Sequence, residues 1–202
     1  MNDIKLLIFD LGNVVYKCTF ENAISYWAEK TESTFSDLRN RFKIDEYYSL
    51  HEINKISIDE YKVHVCTMLQ IELSLDDFIV GWNSIFMNEI KGIRTILEYL
   101  KNKYSVIAFS NTNTTHCQIM KEKYERIFTS FDKLYFSNEI GLRKPDSDAF
   151  KFIIAKHGMK PENVIFFDDL IENIEGAKKI GINVVHVNGI QSIKNGIRKL
   201  GI

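Results

Sequence analysis

Five short apolar segments constrain the fold of this chain more than any other feature of its sequence. Each is too short for a helix and contains Val, Ile or aromatic residues, as strands that are buried on both faces do. The segments are Leu6–Phe9, Ser105–Phe109, Lys133–Phe136, Val164–Phe167 and Asn183–Val187. Helical patterns separate the last four, and this alternation predicts right-handed βαβ crossovers in an α/β fold with a doubly wound parallel sheet.

Three helices are predicted between these strands from the spacing of their apolar residues. They span Lys91–Lys103, Asp146–His157 and Asn173–Ile180. Gly158 and Gly181 follow the second and third helices directly, and glycine is the usual residue just beyond a helix C-terminus.

One long stretch, from about Phe20 to Met87, shows no convincing strand. Its apolar and aromatic residues fall mostly at helical spacing, which is more often typical of a core than of a ligand site. The amphipathic segments are Glu21–Lys30, Phe35–Phe42, Ile58–Leu69 and Leu75–Phe86. We therefore predict a helical insert at residues 17–87, after the first strand, and an α/β core formed by residues 1–16 and 88–202.

The bulk properties exclude several classes of partner and compartment. The 202 residues carry 26 basic and 27 acidic side chains, a formal net charge of −1, so no strong field attracts nucleic acid or anionic lipid. The three cysteines have no spacing typical of a zinc site or a disulfide framework. No signal-peptide pattern opens the chain, and no apolar run approaches the roughly 18 residues of a membrane span. We expect a cytoplasmic protein without membrane partners, either a monomer or a homodimer.

Polar residues follow four of the predicted strands. Ligands of open parallel sheets bind at the carboxyl ends of the strands, so these residues should meet at one edge. They are Asp10 after the first strand, Ser110-Asn111-Thr112 after the second, Lys144 beyond the third, and Asp168-Asp169 after the fourth.

This set of side chains suits phosphoryl transfer. A carboxylate such as Asp10 can attack phosphorus to give an acyl phosphate. Mg²⁺, which prefers oxygen ligands, would relieve the repulsion between that carboxylate and a phosphate dianion. Asp10 and Asp169 would be its ligands, and Asp168 would bind it directly or through a ligand or water. Lys144 adds positive charge, while Ser110 and Asn111 offer neutral donors to phosphoryl oxygens.

Each residue also has a purely structural interpretation. Asp10 can cap a turn, and Asp169 with Glu172 has the spacing of a helix capping box. Ser110 and Asn111 can shape a turn, and an isolated lysine is usually on the surface. However, a cap needs one carboxylate, and two adjacent acids at a strand end repel each other unless a cation joins them. His51, His64 and His116 are further candidates for substrate contact, although an isolated histidine is more often structural.

The motifs resemble those of the haloacid dehalogenase-like (HAD) hydrolase superfamily. Residues 8–15 (IFDLGNVV), 110–111 (SN), 143–146 (RKPD) and 166–169 (FFDD), with Asn173 after them, resemble its four motifs. The resemblance implies a Rossmann-like core with an α-helical cap in the insert. It makes Asp10 the nucleophile and Lys144 its catalytic partner, and it places Ser110, Asn111, Thr112 and Gly12 at the substrate. Magnesium is implied at Asp10, Asp168, Asp169 and the Gly12 carbonyl. The motifs most resemble the branch with bacterial α-D-glucose-1-phosphate phosphatases and the phosphatase domain of soluble epoxide hydrolases.

Gly12 departs from the pattern of most phosphatases of that superfamily. They carry a second aspartate at this position, two residues after the nucleophile, which acts as general acid and base. Without it we expect slow turnover of alkyl phosphates and faster turnover of a sugar 1-phosphate, whose anomeric oxygen leaves more readily. The predicted activity is a Mg²⁺-dependent phosphatase acting on a small phosphate ester. The alternatives are a metal-independent 2-haloacid dehalogenase and a weakly catalytic protein that binds a phosphorylated ligand for regulation.

Overall fold

The computed structural model describes residues 3–199 and 201, so the parts of the predicted core at residues 1–2, 200 and 202 lie outside the described residues. Its strands, in chain order, are β1 (Leu6–Phe9), β2 (Tyr16–Cys18), β3 (Phe86–Glu89), β4 (Ser105–Ser110), β5 (Lys133–Phe136), β6 (Val164–Asp168) and β7 (Asn183–His186). Five of them form a parallel sheet in the order β5–β4–β1–β6–β7. Both neighbours of the central strand β1 come from later in the chain, which is the doubly wound arrangement predicted from the sequence.

Helices surround this sheet and fill the insert. They are α1 (Phe20–Lys30), α2 (Phe35–Arg41), α3 (Glu46–Glu52), α4 (Ile58–Leu69), α5 (Leu75–Asn83), α6 (Ile93–Lys101), α7 (Thr114–Lys123), α8 (Glu125–Phe128), α9 (Ser137–Ile140), α10 (Ser147–Lys156), α11 (Ile171–Lys178) and α12 (Ile190–Lys199), with a 3₁₀ turn at Pro161–Asn163. The sequence predicts α1, α2, α4, α5, α6, α10 and α11 to within a few residues at each end. Among the described residues, no helix combines the length and the apolar character needed to cross a membrane.

The central sheet is covered on both faces, as the continuous apolar character of its strands predicts. Alternate residues of β1 enter two different clusters of the core: Leu7 and Phe9 enter one, and Leu6 and Ile8 enter the other. All four side chains are fully buried. Burying a side chain of this size contributes roughly 1.5–3 kcal/mol, so the hydrophobic effect holds β1 at the centre of the sheet.

The insert rests on a two-stranded antiparallel ribbon that the sequence analysis missed. Strand β2 pairs with β3, with Tyr16 opposite Glu89 and Cys18 opposite Phe86. No strand was expected between Phe20 and Met87, and this was wrong at Phe86 and Met87, which are the first two residues of β3. Helices α1 to α5 lie between the two strands, so both connections of the insert pass through this ribbon. The division at residues 17 and 87 stays a prediction, since β2 and β3 straddle it.

Aromatic residues form the centre of the helical insert. Trp27 stacks on Phe78 with ring centroids 5.0 Å apart, and its indole N–H donates to the Phe78 carbonyl at 3.2 Å. A Cβ at Gly81 would lie 2.2 Å from the Trp27 ring nitrogen, so only glycine lets α1 and α5 pack this closely. The aromatic stripe of the insert is therefore largely core.

Candidate active site

The carboxylates of Asp10, Asp168 and Asp169 converge at the carboxyl edge of the sheet. Strand register brings them together: Phe9 lies between Ala108 and Phe167, and the Asp10 N–H donates to the Phe167 carbonyl at 2.8 Å. One oxygen from each of the three carboxylates lies within 4.8 Å of the others. The arrangement that the sequence predicts from four strand ends is therefore present for these three acids.

Lys144 lies inside this cluster rather than on the surface. It is fully buried, and its ammonium group lies 2.5 Å from Asp10 Oδ1 and 2.8 Å from Asp168 Oδ2. Its Nζ atom is also 5.4 Å from the ring centroids of Phe109 and Phe166. A lysine this deeply buried requires anionic partners, and the two aspartates supply them.

The Asn111 side chain holds the backbone of that lysine. Its amide nitrogen donates to the Lys144 carbonyl at 2.8 Å, and its amide oxygen accepts from the Lys144 N–H at 2.9 Å. From the sequence, this amide was expected to donate hydrogen bonds to phosphoryl oxygens. In the structure both of its polar ends are engaged with the lysine, so its side chain acts here by positioning Lys144.

Asp168 differs from the other two acids in its surroundings. Its oxygens accept from the Leu170 N–H at 2.8 Å and from the Asn173 amide at 3.1 Å, in addition to Lys144. Asp168 is completely buried, and the adjacent cavity is lined by Asp10 and Asp169 but not by Asp168. Asp168 therefore orients Lys144, while Asp10 and Asp169 face the cavity.

The helix-cap interpretation of Asp169 does not hold. Helix α11 is preceded by Leu170 as its N-cap residue, and no side chain caps it. The Asp169 pKa is raised by burial and by the charge of Asp168, although Lys144 and a hydrogen bond from Asn13 act in the opposite direction. Asn13 itself has a left-handed backbone (φ 54°), which asparagine tolerates better than most residues. The sequence analysis gave Asn13 no role in the site.

Electrostatics favours a cation at this edge of the sheet. If every group is ionised, the cluster holds three negative charges and the single positive charge of Lys144. Burial, with the charges of Asp168 and Asp169, raises the pKa of Asp10 to about 8 despite the opposing effect of Lys144. Burial lowers the pKa of Lys144, but the charges of Asp10 and Asp168 outweigh it, so the pKa is raised. A hard divalent cation such as Mg²⁺ fits this all-oxygen donor set.

Three further predicted residues lie beside the acids. Ser110 and Thr112 are buried at the end of β4, and Ser110, Thr112 and Gly12 all line the cavity. The Thr112 N–H donates to the hydroxyl of Ser137 at 2.8 Å. Ser137, which the sequence analysis did not single out, follows β5 directly, so the strand-end rule identifies its position.

The side chain of Cys18, in β2, occupies the space next to Gly12. A Cβ built on Gly12 would lie 3.1 Å from the Cys18 sulfur and 3.9 Å from Asp10 Oδ2. Burial, followed by the charge of Asp10, raises the pKa of the Cys18 thiol to about 12. A thiol with this pKa is a poor proton donor near neutral pH, so Cys18 fills space next to Asp10 without replacing a carboxylic acid.

A cavity of about 650 Å³ opens above the acids and extends under the helical insert. This volume lies within the usual range for small-molecule sites. Residues from the insert and its ribbon also line the cavity: Cys18, Thr19, Phe20, Glu21, Arg39, Phe42, Ile44, Tyr48, Glu52, Ile85 and Phe86. The insert thus forms a roof over the site, as a substrate-selecting cap would.

His116 lines the cavity and joins the core to the insert, whereas His51 packs within the insert. The His116 ring accepts from the Asn113 amide at 3.0 Å and donates to the Trp82 carbonyl at 2.9 Å. Burial lowers its pKa to about 3, so the ring stays neutral. His51 stacks on Tyr61 at 4.6 Å, and burial lowers its pKa as well. Both are held in ways that suit structural histidines.

Comparison with known proteins gives consistent results. Residues 7–187 match the family described as haloacid dehalogenase-like hydrolase. A D-ribitol-5-phosphate phosphatase of Bacteroides thetaiotaomicron is 25% identical over 187 residues, which cover 88% of this chain and 89% of the relative. A HAD-family enzyme from the same organism, solved with magnesium and inorganic phosphate, has a TM-score of 0.79 and 26% identity over 92% of this chain and 95% of that one. A predicted HAD-like family hydrolase from Porphyromonas gingivalis shares the fold, with a TM-score of 0.81, 24% identity and 98% coverage of both chains.

Proposed function

The chain belongs to the haloacid dehalogenase-like hydrolase family, and from that premise we propose that it is a Mg²⁺-dependent phosphatase acting on a small phosphorylated sugar or polyol. One observation carries the proposal: Asp10, Asp169 and Lys144 meet at the floor of a cavity of about 650 Å³. A phosphate ester needs an anionic nucleophile and positive charge at the same point, and this floor has both groups and a place for a cation. The phosphatase relative from Bacteroides thetaiotaomicron supports the substrate class.

Asp10 is the nucleophile in this proposal. A carboxylate oxygen of Asp10 attacks phosphorus, the bond between phosphorus and the leaving oxygen breaks, and an aspartyl phosphate forms. Water then cleaves the acyl phosphate and releases inorganic phosphate and the free carboxylate. Lys144 favours the ionised form of Asp10, against the effect of burial, and would balance charge at the phosphoryl oxygens. Asp168, which Asn173 holds, and Asn111 keep Lys144 in place.

Mg²⁺ would be held by Asp10 and Asp169, with Asp168 behind them and the Gly12 carbonyl as a further oxygen. When bound, it would supply charge neutralisation and orientation of the phosphate. The hydroxyl groups of Ser110 and Thr112 and the Asn111 N–H would donate to the remaining oxygens, since the Thr112 N–H already donates to Ser137.

The leaving oxygen receives its proton from water in this proposal, because Gly12 offers no carboxylic acid. This favours substrates with a good leaving group, such as a sugar 1-phosphate, over ordinary alkyl phosphates. The motif resemblance makes α-D-glucose 1-phosphate the first compound to test, and the curated relative makes D-ribitol 5-phosphate the second.

The decisive experiment measures phosphate release from p-nitrophenyl phosphate, glucose 1-phosphate and ribitol 5-phosphate, with Mg²⁺ and with EDTA. We expect hydrolysis only with Mg²⁺, and a loss of at least about 10³-fold in kcat for Asp10→Asn because the nucleophile is removed. Asp148→Asn is the matched control, since Asp148 lies on the surface with a side chain 77% exposed.

Three outcomes would contradict the proposal. Hydrolysis that survives in Asp10→Asn would show that another group is the nucleophile. Chloride release from a 2-haloacid without metal would identify a dehalogenase. Tight binding of glucose 1-phosphate with no turnover of any ester would favour a binding protein.

A further inference from the structure

Glu52, the last residue of α3, joins the helical insert to the core. Its side chain is 2% exposed, although α3 belongs to the insert. Its Oε2 atom accepts from Arg143 Nε at 3.0 Å and lies 2.8 Å from Arg143 Nη2. Arg143 is the residue before Lys144, so this ion pair attaches the insert directly beside that lysine.

The backbone carbonyl of Glu52 makes a second attachment. It accepts from the Ser137 hydroxyl at 2.6 Å. The same hydroxyl accepts from the Thr112 N–H at 2.8 Å and lies 3.0 Å from the Thr112 carbonyl. Ser137 is fully buried, so its hydroxyl depends on these partners. It connects the end of α3 to both polar groups of the Thr112 backbone.

The two attachments reach different parts of the proposed phosphate site from one residue. Arg143 leads to Lys144, and Ser137 leads to the Ser110–Thr112 segment. The two parts are themselves joined, because the Asn111 amide bonds the Lys144 backbone. Tyr48, one turn earlier on α3, lines the cavity and also hydrogen-bonds to Glu52, so the junction extends to the wall that a substrate would touch.

The Glu52–Arg143 pair, in which Glu52 is buried and the Arg143 side chain is 22% exposed, favours one docked position of the insert. Each of the two charges loses hydration when the insert packs on the core, and each regains an interaction only if the other is present. Separating the insert from the core would also remove the Glu52 carbonyl from the Ser137 hydroxyl. Docking of α3 is therefore physically linked to the placement of Lys144 and Thr112.

We propose that Glu52 is a positioning residue that couples docking of the insert to the alignment of the phosphate-binding groups, acting through Arg143 and Ser137. The kinetic consequence rests on the proposed phosphatase function, whereas the structural coupling does not. Glu52 does not touch the reacting atoms in this scheme; its effect passes through the two core residues that it holds.

Hydrogen exchange followed by mass spectrometry tests the coupling without any substrate. In Glu52→Gln, which removes the charge and keeps the backbone carbonyl, we expect faster exchange in α3 and also in a peptide spanning residues 110–113. Exchange in β1 and β6 should stay unchanged. Glu139→Gln is the matched control, because it breaks the exposed Lys121–Glu139 pair near the same part of the core. Faster exchange confined to α3 would overturn the coupling.

Kinetics provides the second readout. With p-nitrophenyl phosphate and Mg²⁺, we expect Glu52→Gln to lower kcat by about 10- to 100-fold with a smaller change in KM, since misplaced groups mainly weaken the transition state. The double variant with Arg143→Gln should be no slower than either single variant, because both remove one interaction. Additive losses, or an unchanged kcat, would overturn the proposal.

Two further comparisons keep these results distinguishable. Arg143→Lys retains the charge but not the two-nitrogen contact with Glu52, so it should lower kcat by an intermediate factor. It replaces Glu52→Gln as the test variant if Glu52→Gln fails to fold. If the wild-type protein hydrolyses none of the esters, the phosphatase proposal fails, while the exchange experiment still decides whether α3 and residues 110–113 are coupled.

Discussion

Among single residues, Gly12 and Cys18 have the most direct bearing on how this site can work. The space next to Asp10 that an aspartate at position 12 would enter is restricted by the Cys18 sulfur, 3.1 Å from the position of a Cβ. Few Cβ atoms in proteins have a neighbour this close, so a side chain at residue 12 requires the Cys18 thiol to move by a few tenths of an ångström. The two residues therefore form a pair, in which the thiol restricts the space for a side chain at residue 12.

This pairing predicts that a general acid can be restored only by changing both residues. Gly12→Asp in the wild-type background should give little or no gain on D-ribitol 5-phosphate, because the new side chain is displaced by the sulfur. In the Cys18→Ala background the same substitution should raise kcat at least about 10-fold, the lower part of what general acid catalysis contributes. The measurement is a four-variant cycle of steady-state kinetics with Mg²⁺. Equal gains in the two backgrounds would show that Cys18 does not restrict residue 12.

Among the elements, α7 has a role that reaches beyond the core. It begins after Asn113, whose side chain accepts from the His116 N–H at 3.1 Å and so caps the helix. The His116 ring then joins the Asn113 amide to the Trp82 carbonyl in α5. The ring accepts on Nδ1 and donates from Nε2, an arrangement that only the neutral form can make.

The His116 pKa predicts how stability depends on pH. Burial lowers this pKa from 6.5 to about 3, so between these values the unfolded chain takes up a proton that the folded protein does not. The free energy of unfolding should therefore fall as the pH falls below 6.5, by up to about 1.4 kcal/mol per pH unit. In His116→Gln, the free energy of unfolding should lose this dependence on pH between pH 6.5 and 5, where few carboxylates titrate. Urea unfolding at several pH values measures it, and parallel curves for the two proteins would contradict the assignment.

In the molecule as a whole, the acidic cluster opposes folding until a cation balances it. Asp10, Asp168 and Asp169 are brought within 4.8 Å only by the folded sheet, and burial raises the pKa of both Asp10 and Asp169. Ionising a carboxylate whose pKa is raised in the folded state costs stability above its usual pKa. A cation that binds only the folded state removes that cost.

We therefore expect Mg²⁺ to raise the Tm of the whole protein. At 100 times its dissociation constant, a ligand specific for the folded state contributes about 2.7 kcal/mol, which corresponds to roughly 5 °C or more for a protein of this size. Asp169→Asn should show a higher Tm than the wild type in EDTA at pH 8, because it removes repulsion, and little response to Mg²⁺. Calorimetry measures both, with Asp148→Asn as control. A wild-type Tm that is the same in EDTA and Mg²⁺ would contradict a magnesium site here.

Much of this molecule follows from its sequence because the decisive signals are local. The apolar runs of four or five residues predict the five strands of the central sheet. Because ligands bind at the carboxyl ends of parallel strands, the same pattern predicts that Asp10, Asp168 and Asp169 meet there. Helix α4 is delimited by the reciprocal capping of Ser57 and Glu60, which is again a local signal. The strands and the helix cap depend on neighbours within a few residues, so the sequence alone determines them, and the place of the acids then follows from the order of the strands.

The remaining features are decided by tertiary structure, because they depend on groups far apart in the chain. The ribbon of β2 and β3 is formed by short, half-exposed strands, and their pattern of apolar and polar residues does not predict a strand before they pair. Lys144 reaches Asp10 across 134 residues, and Arg143 reaches Glu52 across 91. A lysine and a glutamate look like surface residues in the sequence. Only the packed fold removes water from them, and burial beside an opposite charge is what pairs Lys144 with Asp10 and Asp168 and makes Glu52 a junction between insert and core.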